Sequence, residues 1–203
     1  MVQAQTLVER QIAVSTASDD HLIQRCQAGD QESFRWLVER YAGAVFGTAL
    51  LMTGDRPLAE DLTQEAFIHA WRGLRGFRLG WPLKPWLLRI VVNRVSSHRR
   101  RRLLSMVPLP WAERAASHDL TPDATVEAQQ ERDEVGAAVA RLPDEHRQLI
   151  VLRFYAELSV PEIARVTGLA EGTVKSRLHR ALARLRELLT HDDVRRERGE
   201  HHE

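Results

Sequence analysis

The residues best suited to contact DNA lie near the carboxyl end of the chain, at positions 171–186. Apolar residues recur there at three- and four-residue steps, which predicts an amphipathic helix from 171 to about 189. Ser159 and Glu162 have the spacing of a capping box that opens a shorter helix before it, and Gly168 marks a tight turn between the two. This order predicts a helix-turn-helix, whose second helix enters the DNA major groove. The polar side chains on its opening turns are Thr173, Lys175, Ser176, Arg177, His179 and Arg180.

Aromatic and basic residues alternate in a second stretch, within a region from Ala66 to Ala112 that contains no Asp or Glu. Aromatic rings combined with positive charge bind single-stranded bases by stacking and by contact with phosphate. The residues of this kind are Phe77, Trp81 and Trp86, interleaved with Arg75, Arg78, Lys84 and Arg89. The alternative is that the rings belong to a hydrophobic core, which we expect for Trp86 and which stays open for Phe77 and Trp81.

A third candidate surface lies on the helix predicted from Pro57 to about Trp71. Its apolar positions follow a helical period, and the opposite face is acidic and amide-rich. The residues of that face are Asp61, Gln64 and Glu65. By composition alone, this is the face of an ordinary solvated helix.

The elements that position these groups can be predicted from caps and periodicity. Ser18 and Asp30 have the types and places of helix N-caps, and Gly54 and Pro57 mark the break before the third helix. A fourth helix follows Pro82, with inward positions at Leu87, Ile90, Val91 and Val95. This orientation leaves a polar ridge on the fourth helix, formed by Arg89, Asn93, Ser97 and Arg100.

The balance of charge over the chain is informative only when it is divided by segment. The 203 residues include 29 basic and 28 acidic side chains, and the formal net charge is +1. A value so near zero argues, taken alone, against a nucleic-acid partner. The sign alternates in blocks, however, because residues 66–112 and 165–186 are basic and residues 113–134 between them are acidic. Two basic surfaces separated by an acidic segment are therefore predicted.

Composition narrows the fold and the function classes. With 28% charged and only 6% aromatic residues, the chain is predicted to be all-α. It contains neither a phosphate-binding Gly-Lys loop nor a His-Glu-x-x-His zinc motif, so it is not expected to be an enzyme. The single cysteine, Cys26, cannot form an intramolecular disulfide, and neither a metal site nor a cofactor is expected. The chain shows neither a signal peptide nor an apolar run of about 20 residues, so we expect a cytoplasmic protein without membrane insertion.

Prolines at 108, 110 and 122 divide the chain into two small helical domains joined by a flexible linker. We predict a four-helix domain over residues 18–104, an acidic linker over 105–130 and the helix-turn-helix domain over 131–190. Residues 1–17 form an amino-terminal extension and 191–203 a carboxy-terminal tail in this division.

Several blocks in this order resemble a bacterial RNA polymerase sigma factor of the small extracytoplasmic-function type, within the sigma-70 family. The resemblance covers nearly everything from Asp19 to Leu189. The blocks that carry it are AEDLTQEAFIHAW, FRLGWPLKPWLLRIVVNRV, LPDEHRQLIVLRFYAELSVPEIARVTGL and EGTVKSRLHRALARLR. It implies a protein that binds core RNA polymerase and directs promoter recognition, melting and initiation at a stress- or signal-specific set of promoters.

The resemblance assigns a partner to each surface. Asp61, Gln64 and Glu65 would contact the clamp helices of the largest polymerase subunit. The loop from Phe77 to Pro85, called the minus-ten loop below, would receive a flipped base of the minus-ten element. The full set implied for that element is Phe77, Arg78, Trp81, Lys84, Arg89, Asn93 and Arg100. Residues 99–102 would contact backbone phosphates or form a solvated helix end.

For the minus-thirty-five element, the resemblance directs Lys175, Ser176, His179 and Arg180 to the major groove and Thr173 and Arg177 to the backbone. Ala170 stands where many relatives have a Ser or Thr cap. The second domain would also contact the flap of the second-largest subunit, and an anti-sigma factor is an expected partner. The acidic linker would thread through the polymerase near the template strand, or act as a solubilising tether.

The strongest rival interpretation is a dimeric helix-turn-helix regulator with a helical effector-binding or interaction domain. Such a domain needs neither the basic stretch up to Arg102 nor the acidic segment that follows it. A repressor of this class is also expected to be a dimer, whereas a free sigma factor is usually a monomer or is bound by its inhibitor.

Overall fold

The computed structural model describes residues 17–104 and 134–199, and within these ranges every regular element is helical. The first group of elements is α1 (Asp19–Gln27), α2 (Gln31–Thr53), α3 (Arg56–Gly73), a 3-10 turn (Leu74–Gly76) and α4 (Leu83–Leu104). The second group is α5 (residues 134–140), α6 (Asp144–Ile150), a π-helical turn (Val151–Tyr155), α7 (Val160–Thr167) and α8 (Glu171–Gly199). The predicted all-α fold is confirmed.

Local sequence signals account for the helix boundaries of the first group. The Ser18 hydroxyl accepts a hydrogen bond from the His21 backbone N–H, and the Asp30 carboxylate accepts from Glu32 and Ser33. Asp55 caps α3 in the same way, through the N–H of Leu58. These side chains satisfy backbone donors that have no partner within the helix.

The core of the first group forms where the apolar stripes of α1 to α4 meet. Leu22, Leu37, Ala66 and Val91, one from each helix, are at most 2% exposed. On α4 the buried surface is wider than the predicted stripe, because Leu88 and Val92 are buried beside Leu87, Val91 and Val95. The additional burial follows from the packing of α4 against α7 as well as against α2 and α3.

The second group contains the predicted helix-turn-helix. Glu162 accepts hydrogen bonds from the backbone N–H and the hydroxyl of Ser159, and Gly168 ends α7 with a φ of +74°. The prediction that α8 ends near Leu189 was wrong, since this helix continues to Gly199. The added segment contains three arginines, which have high helix propensity, and Gly199 is the first glycine after Gly172.

Phe154 is an apolar residue that lies on the surface next to the helix beginning at Asp144. The Ala156 N–H donates to the carbonyl of Val151, an i to i+5 bond that defines a π-helical turn. This wider turn shifts the register of the side chains, and Phe154 is 57% exposed while Leu149 and Leu152 are buried.

The two groups pack against each other through contacts that spacing along the chain does not indicate. α7 lies against α4, and the π-helical turn lies against α2. The Tyr155 hydroxyl donates to the carbonyl of Gly43 at 3.1 Å, and a Cβ at Gly47 would lie 1.8 Å from that hydroxyl oxygen. Gly43 and Gly47 are four residues apart and so share a face of α2, and the absence of a side chain at Gly47 admits the Tyr155 ring.

The predicted linker, residues 1–16 of the predicted 1–17 extension, residues 131–133 and residues 200–203 lie outside the described residues. Within the described ranges, none of the helices has the length and apolar character needed to cross a bilayer.

Candidate nucleic-acid and polymerase interfaces

The acidic face of α3 has the predicted orientation. Asp61, Gln64 and Glu65 are exposed, while Leu62 and Ala66 on the opposite side are buried. Glu65 is at the limit of an ion pair with Arg94 of α4, with 4.0 Å between the nearest oxygen and nitrogen. A contact this long between exposed side chains contributes little to stability, so the face is available to a partner.

The polar ridge of α4 also lies on the surface. Arg89, Asn93 and Arg100 are exposed, and Ser97 is half-buried. These residues follow one another at intervals of four, four and three residues, so they share one side of the helix. The ridge presents two guanidinium groups and an amide, which suit phosphates and base edges.

The aromatic residues of the minus-ten loop divide between core and surface. Phe77 is 9% exposed, and its ring meets the half-buried Trp86 ring edge-on, with 5.0 Å between centroids. Trp81 is 51% exposed. The expectation for Trp86 is therefore met, whereas Phe77 supports the loop from below and is not an accessible platform for a base.

A cavity of about 80 Å³ lies between the minus-ten loop and α7. Its walls include Trp81, Trp86 and Arg89 on one side and Arg165 and Val166 of α7 on the other. Aromatic and guanidinium groups thus converge on one side of the cavity, but in this conformation α7 forms the other side.

Lys84 is half-buried, and its positive charge acts on the Glu162 carboxylate of α7. The pKa of Glu162 is lowered, chiefly by the hydrogen bond from the Ser159 hydroxyl and to a smaller extent by the positive charges of Arg165 and Lys84. An acid on α7 therefore faces one of the cations predicted to contact DNA.

The recognition helix α8 exposes four of its six predicted side chains. Lys175, Ser176, His179 and Arg180 are exposed, whereas Thr173 is half-buried. Arg177 is also half-buried, and its guanidinium pairs with Glu145 of α6 at 2.7 Å. The buried stripe of this helix includes Val174, Leu178 and Ala181, so the exposed set lies on the opposite side.

The start of α8 is formed without a Ser or Thr cap. The carbonyl of Ala170 accepts the hydrogen bond from the Val174 N–H, as an N-cap carbonyl does. Glu171 is in the first turn, where a negative charge interacts favourably with the helix dipole.

The basic end of α4 is only partly available to DNA. Arg100, Arg101 and Arg102 are exposed, but Arg99 donates to the Met52 carbonyl and pairs with Asp144 at 3.0 Å. The expectation that all four arginines contact phosphate or solvent therefore needs correction for Arg99, which links α4 to the carboxyl end of α2 and to the start of α6.

Arg147 is a buried cation that sequence reasoning missed. It is 8% exposed and donates to the carbonyls of Val139, Ala140, Leu142 and Met52. The last of these lies in the other helix group. No local pattern indicates this role, because in the sequence Arg147 is one of several polar residues of a short helix.

Comparison with known proteins decides the family. The description Sigma-70 region 2 matches residues 37–103, and Sigma-70 region 4 matches residues 132–185. The chain is also 34% identical over 160 residues to the ECF RNA polymerase sigma factor SigL of Mycobacterium tuberculosis, an alignment that covers 78% of this chain and 90% of that protein. The chain belongs to the extracytoplasmic-function sigma factors.

Two further relatives agree with this membership. The RNA polymerase sigma-H factor of Pseudomonas aeruginosa is 36% identical over 172 residues, covering 80% of this sigma factor and 89% of that protein. The sigma factor RpoE of Bartonella quintana, solved with the anti-sigma factor NepR, has a TM-score of 0.65 at 28% identity and covers 78% and 98% of the two chains. The region 2 match spans most of α2 to α4, the part that the rival interpretation assigned to effector binding.

Proposed function

We propose that this sigma factor binds core RNA polymerase through α3, captures the minus-ten element with α4 and the minus-ten loop, and reads an upstream element with α8. As a member of its family, the protein directs RNA polymerase to promoters. The observation that supports the assignment of surfaces is their separation. The exposed ridge of α4 and the exposed side of α8 belong to different helix groups, as two promoter elements require.

The polymerase contact is assigned to Asp61, Gln64 and Glu65. They are exposed and share one face of a helix whose other side is packed in the core. Two carboxylates and an amide complement a basic surface, and by family resemblance this surface is formed by the clamp helices of the largest subunit. The flap of the second-largest subunit is assigned to the second helix group in the same way.

The minus-ten contact is assigned to Arg78, Trp81, Arg89, Asn93 and Arg100, all of them exposed. Trp81 offers a ring for stacking, and the ridge residues can hold the adjoining phosphates. Phe77 and Lys84 keep roles of a different kind. The Phe77 ring positions the loop, and the half-buried Lys84 is assigned to phosphate at its edge.

The minus-thirty-five contact is assigned to Lys175, Ser176, His179 and Arg180, with Thr173 and Arg177 nearer the backbone. Arginine and lysine recognise guanine through O6 and N7. Loss of one such contact costs about 1–3 kcal/mol and relaxes selection at one position. The ion pair between Arg177 and Glu145 fits a role for Arg177 in holding α8 on α6 as well as near phosphate.

The domain division and the remaining partners form part of the proposal. We assign residues 18–104 to region 2 and 131–190 to region 4, with the acidic segment between them either threading through the polymerase or serving as a solubilising tether. An anti-sigma factor is proposed as a partner because the B. quintana relative was solved with one.

Run-off transcription with purified core polymerase and a library of genomic promoter fragments tests the function. We expect promoter-specific transcripts whose upstream sequences share two motifs. Asp61→Arg should abolish holoenzyme assembly while the protein stays folded, whereas Glu39→Arg on α2 serves as the matched charge reversal and should assemble normally. Assembly by Asp61→Arg would contradict the assignment of α3.

Base reading by α8 is tested with Arg180→Ala. We expect relaxed selection at one upstream position, and Arg184→Ala, one turn further along α8, provides the control. Unchanged promoter selectivity in Arg180→Ala would remove this residue from the reading set.

A further inference from the structure

We propose that two side chains of α1, Asp20 and Gln27, are positioning residues that set which base the minus-ten loop selects. This inference rests on the proposed function, since it concerns how the loop is presented to DNA. Neither residue is on a surface assigned above to DNA or polymerase. Both contact the backbone of the segment that carries Phe77 and Trp81.

Gln27 holds the start of the loop. Its side-chain amide nitrogen donates to the carbonyls of Leu74 and Phe77, each at 2.9 Å. One NH2 group therefore bridges both ends of the 3-10 turn that precedes the loop. Because an amide nitrogen carries two protons, a single Gln side chain can satisfy both carbonyls at once.

Asp20 holds the tip of the loop. The Gly80 N–H donates to one carboxylate oxygen of Asp20 at 3.0 Å. The Trp81 N–H donates to the Arg78 carbonyl, and Gly80 has a φ of +79°, which together describe a type II turn with glycine at its third position. Type I and type II turns differ in the orientation of the central peptide, and the N–H that Asp20 accepts belongs to that peptide.

The spacing of the two residues makes α1 a rigid support. Positions 20 and 27 are seven apart, so their side chains share one face of the helix about two turns from each other. The helix is anchored in the core by Leu22 and Ile23, both 0% exposed. Asp19 adds an ion pair to Arg40 at 2.6 Å, which ties the amino end of α1 to α2.

The consequence for DNA is that the backbone carrying the exposed Trp81 is held in one conformation. An exposed ring on an unsupported loop would sample many positions, and each base would meet a different surface. With the turn fixed at both ends, the exposed Trp81 and the neighbouring cavity keep one shape against which bases are compared. Asp20 and Gln27 therefore affect discrimination between bases without touching them.

Holoenzyme transcription provides the test, with the strongest promoter recovered from the genomic library as the probe and each minus-ten base replaced in turn. In Asp20→Ala and in Gln27→Ala, we expect discrimination at the loop-read base to fall by about 3- to 10-fold, the factor contributed by one net hydrogen bond. Discrimination at the minus-thirty-five element should not change. Asp20→Asn retains an acceptor oxygen and should restore most of the selectivity, and the exposed Gln24→Ala is the matched control on the same helix.

Each outcome decides the matter. Transcription that falls equally on all templates, with selectivity preserved, would show that the contacts serve only stability and would overturn the inference. If circular dichroism shows that one alanine variant is unfolded, the other variant still tests the inference, because Asp20 and Gln27 contact different parts of the loop. Failure of the wild-type holoenzyme to initiate at any specific promoter would refute the proposed function instead, and the inference with it.

Discussion

Replacement of Arg147 by methionine is the most informative test of how the two helix groups are held together. The Arg147 guanidinium donates to four carbonyls, three of them near the end of α5 and one near the end of α2. The last carbonyls of a helix have no donor within it, and they carry the negative end of the helix dipole. A buried cation at this point neutralises both helix ends, and methionine keeps most of the volume but supplies no donor.

The magnitude follows from the partners that remain. The Val139 carbonyl also accepts from the Leu142 N–H, and the Met52 carbonyl also accepts from Arg99. The loss therefore falls mainly on the carbonyls of Ala140 and Leu142, at about 1–3 kcal/mol for each buried acceptor left without a donor. We expect Arg147→Met to lower the free energy of unfolding by about 3–5 kcal/mol, a large share of the roughly 5–15 kcal/mol of an ordinary domain.

Urea denaturation followed by circular dichroism measures this loss. Arg72→Met removes an exposed arginine from the last turn of α3 and is the matched control, with an expected change within about 0.5 kcal/mol. Arg147→Lys should fall between the two, since an ammonium group lacks the planar fork that reaches several carbonyls. A loss in Arg147→Met no larger than that in Arg72→Met would refute the argument that this cation completes the helix ends.

Three further predictions concern other described contacts. Gly47→Ala should displace the Tyr155 ring and lower the melting temperature. Tyr155→Phe removes only the hydrogen bond to Gly43 and should lower the free energy of unfolding by about 0.5–1.5 kcal/mol. Equal melting temperatures of Gly47→Ala and wild type would contradict this packing. Burial, with a smaller effect of Asp30, raises the pKa of Cys26 to about 11, so iodoacetamide should alkylate the native thiol at pH 8 far more slowly than the urea-unfolded thiol. The pKa of Glu162 lies below its ordinary 4.5, chiefly because the Ser159 hydroxyl donates to its carboxylate. The stability that wild type has over Glu162→Gln should therefore be present above pH 4.5 and be lost as the pH falls through the lowered pKa. A stability difference that persists at pH 2 would contradict this.

Much of the local structure follows from sequence because its causes are local. A helix cap needs a hydroxyl or carboxylate within three residues of the N–H that it accepts, and Ser18, Asp30 and Ser159 all occur where the helices begin. Helical periodicity likewise assigns side chains to faces. That is why the exposed face of α3 and the exposed side of α8 agree with the prediction.

The burial of individual aromatic residues could not be obtained in this way. Phe77 and Trp81 are four residues apart in one basic loop, and both have the composition of a DNA platform. The structure buries Phe77 against Trp86 and exposes Trp81. The choice depends on where the start of α4 lies relative to the 3-10 turn, which periodicity within either element does not specify.

The sequence by itself determined that the chain is helical, where most helices begin, and which residues of α3 and α8 face outward, because each of these depends on neighbours within a turn or two. Only the tertiary structure decided the partners of Arg99, Arg147 and Tyr155, and the contacts of Asp20 and Gln27 with the minus-ten loop. Apart from the carbonyls of Val139, Ala140 and Leu142, which are 5 to 8 residues from Arg147, these partners are 45 to 112 positions away along the chain. A side chain's type states what it can bind, but its partner is set by how packed helices bring distant backbone groups within hydrogen-bond distance.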